Sequence, residues 1–261
     1  MFSKEPRCHY QESPLAEVIC QLRFPEILSV TASDPVEFQE AIRSTFPIFL
    51  RKQELSSPKL ISTDGKLTVQ NQPPVTNFQF SSSDGVWRVN LTNQFISLTC
   101  TRYPCWEEFA AYLDSPLAAF IRIYKPTSFS RIGLRYLNFI SRFTLGLEGT
   151  PFRELIQPCY LGLLALEDMT ESSSLRNTVD CELNIRGGCR VKIHAGPGLV
   201  KRGGKQDQEV KFIFDQDLYM PGQVPPSLVA GALQTLHSQA FPLFRGAITN
   251  KLHAAMEPEI I

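Results

Sequence analysis

The sequence has little of what most assigned chemistry requires. It contains no G-x-S-x-G elbow and no H-E-x-x-H pair, so neither a strand-to-helix serine nucleophile nor a zinc-protease helix is signalled. Its four histidines, His9, His194, His237 and His253, are scattered, and the last two stand too far apart on their helical segments for an i, i+4 metal pair. Seven cysteines, an odd number, form no C-x-x-C pair. Cys100 and Cys105 bracket "TRYP" with no second Cys/His pair at zinc-finger spacing. The expectation is reduced cytosolic thiols filling the core, with no metal and no cofactor. No run approaches the ~20 apolar residues of a bilayer-crossing helix. "MFSKEPRCHYQESPL" has no apolar signal-peptide region, so a cytoplasmic protein without membrane contact is expected. An excess of one charge is missing too: Lys+Arg and Asp+Glu are both 26. A general polyanion binder normally carries a basic surplus, so nucleic-acid contact would need a local patch.

What is present is an ordinary globular balance, 43% hydrophobic and 20% charged, which excludes long disorder. "LAEVICQLRF" alternates as a strand, with Val18, Cys20, Leu22 and Phe24 on one face. "SDPVEFQEAIRSTFP" reads as a helix capped by Asp34 or Ser33, with Phe38, Ile42 and Phe46 as its buried stripe. The polar stretch 51–75 reads as a loop or loose hairpin around "STDGKL". "NFQFSSS", "VWRVNLT" and "FISLTCT" make an antiparallel meander, followed by a helix over "PCWEEFAAYLDSPLAAFIRIY" that Pro116 would interrupt. "SFSRIGLRYLNFI" is a further strand. "YLGLLALEDM", "VDCELNIRG", "CRVKIHAG" and "VKFIFDQDLY" are four more, with a turn at Gly187–Gly188. The C-terminal helical stretch should kink or divide at Pro242. The pattern predicts one α+β unit over 1–261, with antiparallel β-sheet meanders and helices packed on one face. It allows two similar halves, 1–145 and 146–261.

Three constellations carry chemistry. In "SFSRIGLRYLNFI", Arg131 and Arg135 share one strand face, opposite Ile132, Leu134, Tyr136 and Asn138. "HAGPGLVKRGGKQDQEV" spaces Gly198 and Gly203 as a phosphate loop does. However, Gly204 stands where that loop has Lys, Gln206 is no hydroxyl, and a strand follows in place of a helix. Its charge survives the failed motif: residues 186–211 hold Arg190, Lys192, Lys201, Arg202 and Lys205, a basic Gly-rich segment that fits either a solvated hairpin or a phosphate-backbone contact. No aromatic lies in it for base stacking. Asp215 and Asp217 share a strand face, as ion-pair partners or as metal ligands. Buried arginine wants a bidentate carboxylate, so Arg131 and Arg135 are expected to meet these aspartates; failing that, they form an anion site.

"SPLAEVICQLRFP", "FQEAIRSTFP", "WRVNLTNQFISLTCTRYPCWEEF", "RIGLRYLN" and the "LH…F…IT…L" rhythm of 236–252 resemble a sporadically distributed family of bacterial and archaeal proteins of this length. The "WEEF" and "RIGLRYLN" stretches are the most specific parts. The resemblance implies a stand-alone unit without an assigned mechanism, and a patchy distribution implies mobile elements, toxin–antitoxin pairs, immunity or phage defence. The expected function is a non-enzymatic protein-interaction subunit whose partner is another protein. The alternative is an RNA- or DNA-binding subunit using residues 186–211 with Arg131 and Arg135. Two α+β halves and a basic glycine-rich segment are also similar to the repeat-processing endoribonucleases of CRISPR systems, but there that segment lies near the C-terminus, whereas a long helical stretch follows it in this chain.

Overall fold

The computed structural model describes residues 1–54, 59–63, 66–70, 74–202 and 205–260, the side chains of 59–63, 66–70, 202 and 205 excepted. In chain order the strands are β1 (Cys8–Tyr10), β2 (Leu15–Arg23), β3 (Ile48–Glu54), β4 (Lys59–Thr63), β5 (Lys66–Gln70), β6 (Val75–Ser81), β7 (Trp87–Leu91), β8 (Phe95–Cys100), β9 (Phe129–Ile140), β10 (Val179–Asn184), β11 (Arg190–Arg202), β12 (Lys205–Val224) and β13 (Pro258–Ile260). The helices are α1 (Val36–Ile42), α2 (Trp106–Tyr124), α3 (Val229–Ala247) and α4 (Asn250–Ala255). The architecture is α+β with antiparallel sheet. No helix among the described residues is long and apolar enough to cross a membrane.

The chain divides into two compact units that do not follow its midpoint. The first comprises Met1–Cys20, Ile132–Gly222 and Ser227–Ile261, and the second Gln21–Arg131 and Gln223–Pro226. In the first unit the strand order is β10-β11-β12-β9-β2. Strict alternation drives one face of these strands inward: Val191, Ile193 and Ala195 of β11, Phe212, Phe214 and Leu218 of β12, and Ile132, Leu134, Tyr136 and Ile140 of β9 are all buried. They belong to one core with Leu233, Leu236, Ala240 and Leu243 of α3. Phe214 lies 6.0 Å edge-on from Phe244 and 5.3 Å from Tyr160, and Phe152 5.4 Å from Phe212. Fully buried aromatic and branched side chains contribute about 1.5–3 kcal/mol each, so this face holds the unit together. Several of its polar members are paired, though Oε1 of the buried Gln216 has no partner. The Tyr136 hydroxyl meets Nδ1 of His237 at 2.9 Å, and Nδ2 of Asn138 donates to the Phe214 carbonyl at 3.1 Å. Arg245 is 5% exposed, yet its guanidinium donates to both Glu5 oxygens at 2.6 and 2.9 Å and to Oδ1 of Asn250 at 2.6 Å.

The second unit has the order β2-β8-β7-β6-β3, with β4 and β5 forming a separate hairpin. Phe38, Ile42, Phe46, Phe80, Phe109, Phe120 and Phe129 are buried. Trp87 stacks on Tyr112 at 4.0 Å, and Phe24 meets Phe120 at 4.7 Å. An in-register amide row crosses three strands: Gln79 donates to Asn90 at 3.0 Å, and Asn90 to Ser97 at 3.3 Å.

Several elements depart from the sequence reading. Pro35, not Asp34, takes the N-cap place of α1, and Asp34 pairs with Arg51 of β3 instead. The helix α2 continues through Pro116, which is buried in its packed face. The C-terminal break falls after Ala247 and not at Pro242, where the Thr249 hydroxyl accepts from the Leu252 amide and starts α4. "YLGLLALEDM" is no strand. Pro158 opens a short 3-10 turn, Gly162 has φ +55°, and Leu161 and Leu164 are buried while Leu163 and Leu166 are exposed. That three-residue spacing is helical. The strand β3 escapes the sequence reading because it is exposed almost throughout and shows no alternation.

Candidate functional site

The outward face of the first unit's sheet carries charge in the rows of Asp215 and Asp217, while the row that pairs Gly196 with Ile213 has none on these strands. The hairpin of β10 and β11 turns through Gly187 and Gly188, both at φ near +70°, which only glycine adopts without strain. That turn sets the register Asp180↔His194, Glu182↔Lys192 and Asn184↔Arg190. The next pairing sets His194↔Asp215, Lys192↔Asp217 and Arg190↔Tyr219. Lys192 therefore faces a carboxylate on each side, Glu182 and Asp217, and His194 faces Asp180 and Asp215. In the first row Asp180 accepts from Nδ1 of His194 at 2.6 Å, and Asp215 takes a two-pronged bond from Arg135, whose Nε lies 2.7 Å from Oδ1. Asp217 of β12 and Glu17 of β2 add further negative field at Arg135. In the second row Lys192 lies 3.6 Å from Glu182 and 6.0 Å from the Tyr219 ring centroid. The Tyr219 hydroxyl donates to Glu182, and Arg190 donates to Asn184 at 3.1 Å.

The electrostatics follow from these bonds. Hydrogen bonding to Asp215 raises the Arg135 pKa, against the opposing effect of burial. The Tyr219 hydroxyl, helped by Lys192 and Arg190, holds Glu182 below the usual carboxylate range. Asp215 is less exposed than its partner, its side chain 12% accessible against 43% for Arg135. Between these rows lies an open concavity of about 570 Å³, lined by Arg135, Asp180, Glu182, Lys192, His194, Asp215 and Asp217. Carboxylates outnumber permanent cations on this face.

Each residue singled out from the sequence has a definite place. Arg135 meets Asp215 as expected of a strand arginine. Asp217 lies opposite Lys192. Arg131 belongs to the second unit. The basic segment 186–211 is mostly two paired strands and not a loop. Arg190 and Lys192 are held by Asn184 and Glu182, and Lys201 lies opposite Gln206 far along the hairpin. Gly203, Gly204 and the side chains of Arg202 and Lys205 lie outside the described residues. Gly196 and Gly198 answer to packing and not to phosphate. A Cβ on Gly196 would stand 2.3 Å from the Asn177 carbonyl oxygen, and one on Gly198 2.8 Å from Ile213. Among the described residues no three His, Cys, Asp or Glu side chains are placed to hold a metal.

Sequence reasoning missed His194, Asp180, Glu182 and Glu17 as members of the face. The signal was there: with a turn at 187–188, residues whose numbers sum to the same value face each other, so the acids at 180 and 182 had to meet the bases at 194 and 192. No protein-family model matches the chain, and no curated protein matches it.

Proposed function

We propose that the chain is a protein-interaction subunit that presents the charged outward face of its first unit to a partner protein. The observation that carries this reading is the in-register row Asp180–His194–Asp215–Arg135. Arg135 and Asp215 hold each other, and His194 and Asp180 share a hydrogen bond, so these side chains are positioned before a partner arrives. Preorganised charge gives specificity and steers encounter more than it adds raw affinity. The same pairing argues against RNA or DNA as the partner. Arg135, Arg190 and Lys192 lie among carboxylates, which repel phosphate, and a polyanion would first have to displace them. The nucleic-acid alternative then rests on the far end of the hairpin around Lys201. The resemblance to a patchily distributed family supports a role in an immunity or defence assembly.

The test is capture of the tagged protein from its host, with and without nuclease, beside Lys192→Glu. A stoichiometric protein that survives nuclease and is lost with Lys192→Glu supports the reading. Nucleic acid as the main co-purifying species, retained by Lys192→Glu, contradicts it.

A further inference from the structure

The charged face ends at an open strand. β10 is the outermost strand of its unit, and all of its residues but Val179 and Cys181 are exposed. Its outward backbone groups follow from the register. The Ile185 amide donates to the Cys189 carbonyl at 2.8 Å, making 185 and 189 a hydrogen-bonded pair. Bonded pairs alternate in an antiparallel ladder, so residues 183, 181 and 179 turn their N–H and C=O toward β11. Those of Asp180, Glu182 and Asn184 point away from the sheet. Among the described residues β10 pairs with β11 alone, and these three outward amides donate to no turn or loop carbonyl.

The side chains on that edge state what would fit. Reading outward, the first row runs Arg135, Asp215, His194, Asp180, and the second Asp217, Lys192, Glu182. Both rows end on a carboxylate, so the next strand, about 4.8 Å further out, must bring a cation in each row to continue the alternation. On the opposite face the edge offers Val179, Cys181 and Leu183, the last 38% exposed, which suit apolar residues at the intervening positions. A second copy of the chain does not meet this requirement. In the two antiparallel registers that overlap two β10 strands most fully with matching faces, Asp180 stands against Glu182, or Glu182 against itself, and like charges directly opposite are destabilising.

We infer that β10 is a docking edge for an extended basic segment of a partner protein, with Lys or Arg at alternate positions opposite Asp180 and Glu182 and apolar residues between them. This deepens the interaction reading and rests on it. The segment adds a strand antiparallel to β10: main-chain bonds to Asp180, Glu182 and Asn184 supply affinity, and the two carboxylates supply the choice of sequence.

The experiment uses the full chain and a capped octapeptide of alternating valine and lysine. Amide hydrogen exchange is read at Asp180, Glu182 and Asn184, and affinity by calorimetry. The expected result is slowed exchange at those three amides. Binding should weaken about tenfold or more in Glu182→Lys, and by as much when the peptide's bonding amides are N-methylated at unchanged charge. An alternating valine–glutamate peptide should not protect them. Unchanged exchange at the three amides, or equal binding of the N-methylated peptide, would overturn the proposal. That failure leaves a captured partner's sensitivity to Lys192→Glu untouched. Failure of the interaction reading removes that sensitivity and leaves the peptide result standing.

Discussion

Arg135 is the residue on which the charged face turns. Its guanidinium is fixed by both oxygens of Asp215, a carboxylate that is nearly buried while Arg135 itself is 43% exposed. Arg135→Ala leaves that carboxylate unpaired. The expected loss of stability is about 1–2 kcal/mol, less than for a fully buried pair because solvent screens the arginine. A denaturant titration with an unchanged m value checks it, and a midpoint equal to wild type would show the pair to be ornamental. A second residue prediction concerns acid. Burial, reinforced by Arg245 and opposed by Glu5, holds the His253 pKa below its usual 6.5, and Nδ1 of His253 meets the Tyr10 hydroxyl at 2.9 Å. The unfolded chain then takes up this proton more readily than the folded one, so stability falls as pH drops below 6.5 through the folded pKa. His253→Gln should flatten the dependence of the urea midpoint between about pH 7 and pH 5; an unaltered slope would assign it to other groups. The Arg135 partnership was legible from strand parity. The His253 contact was not, because it joins residues at opposite ends of the chain.

At the scale of elements, β11 shows what glycine does in this fold. Gly196 sits where the chain before β10 crosses close to the strand, and a methyl group there would stand 2.3 Å from the Asn177 carbonyl oxygen. Gly196→Ala should cost about 3 kcal/mol or more, since backbone cannot give way as a side chain can. Thermal unfolding reads it, and an unshifted midpoint would mean that the crossing is loose. In the sequence this glycine stands just before Gly198, whose spacing to Gly203 is that of a near-miss phosphate loop. Only the pairing of β11 with β12 distinguishes the two meanings. Hydrophobic alternation did reveal β2, β6, β7, β8, β9, β11 and β12, because each meets a core, and the Gly187–Gly188 turn added the exposed β10. It could not reveal β3, which is exposed along most of its length, nor β1 and β13, three residues each and paired across the whole chain. Nor did proline decide helix ends. Pro116 and Pro242 both lie inside helices whose packed faces outweigh a missing hydrogen bond.

For the whole molecule, the α+β class follows from the count and spacing of strands and helices, and the sequence pattern was sufficient for it. The division into units was not legible, because β2 and β9 each pass from one unit into the other and only long-range pairing assigns their residues. The net charge of zero concealed a segregation: acids and bases separate along the chain at 180–182 and 190–194 and are brought back together by register. On the proposed reading, a surface built this way recognises a pattern of charge more than a sign of charge. The most direct measurement is the affinity of the captured partner for two single variants, Lys192→Glu within the charged rows and Lys201→Glu toward the hairpin's far end. Both lysines are exposed, but Lys192→Glu sets a third carboxylate between Glu182 and Asp217, so the unfolding midpoint of each variant is read beside its affinity. The account predicts a loss of about tenfold or more for Lys192→Glu and no change for Lys201→Glu. The opposite result, with binding lost at Lys201 and kept at Lys192, would contradict it and move the functional surface to the far end of the hairpin.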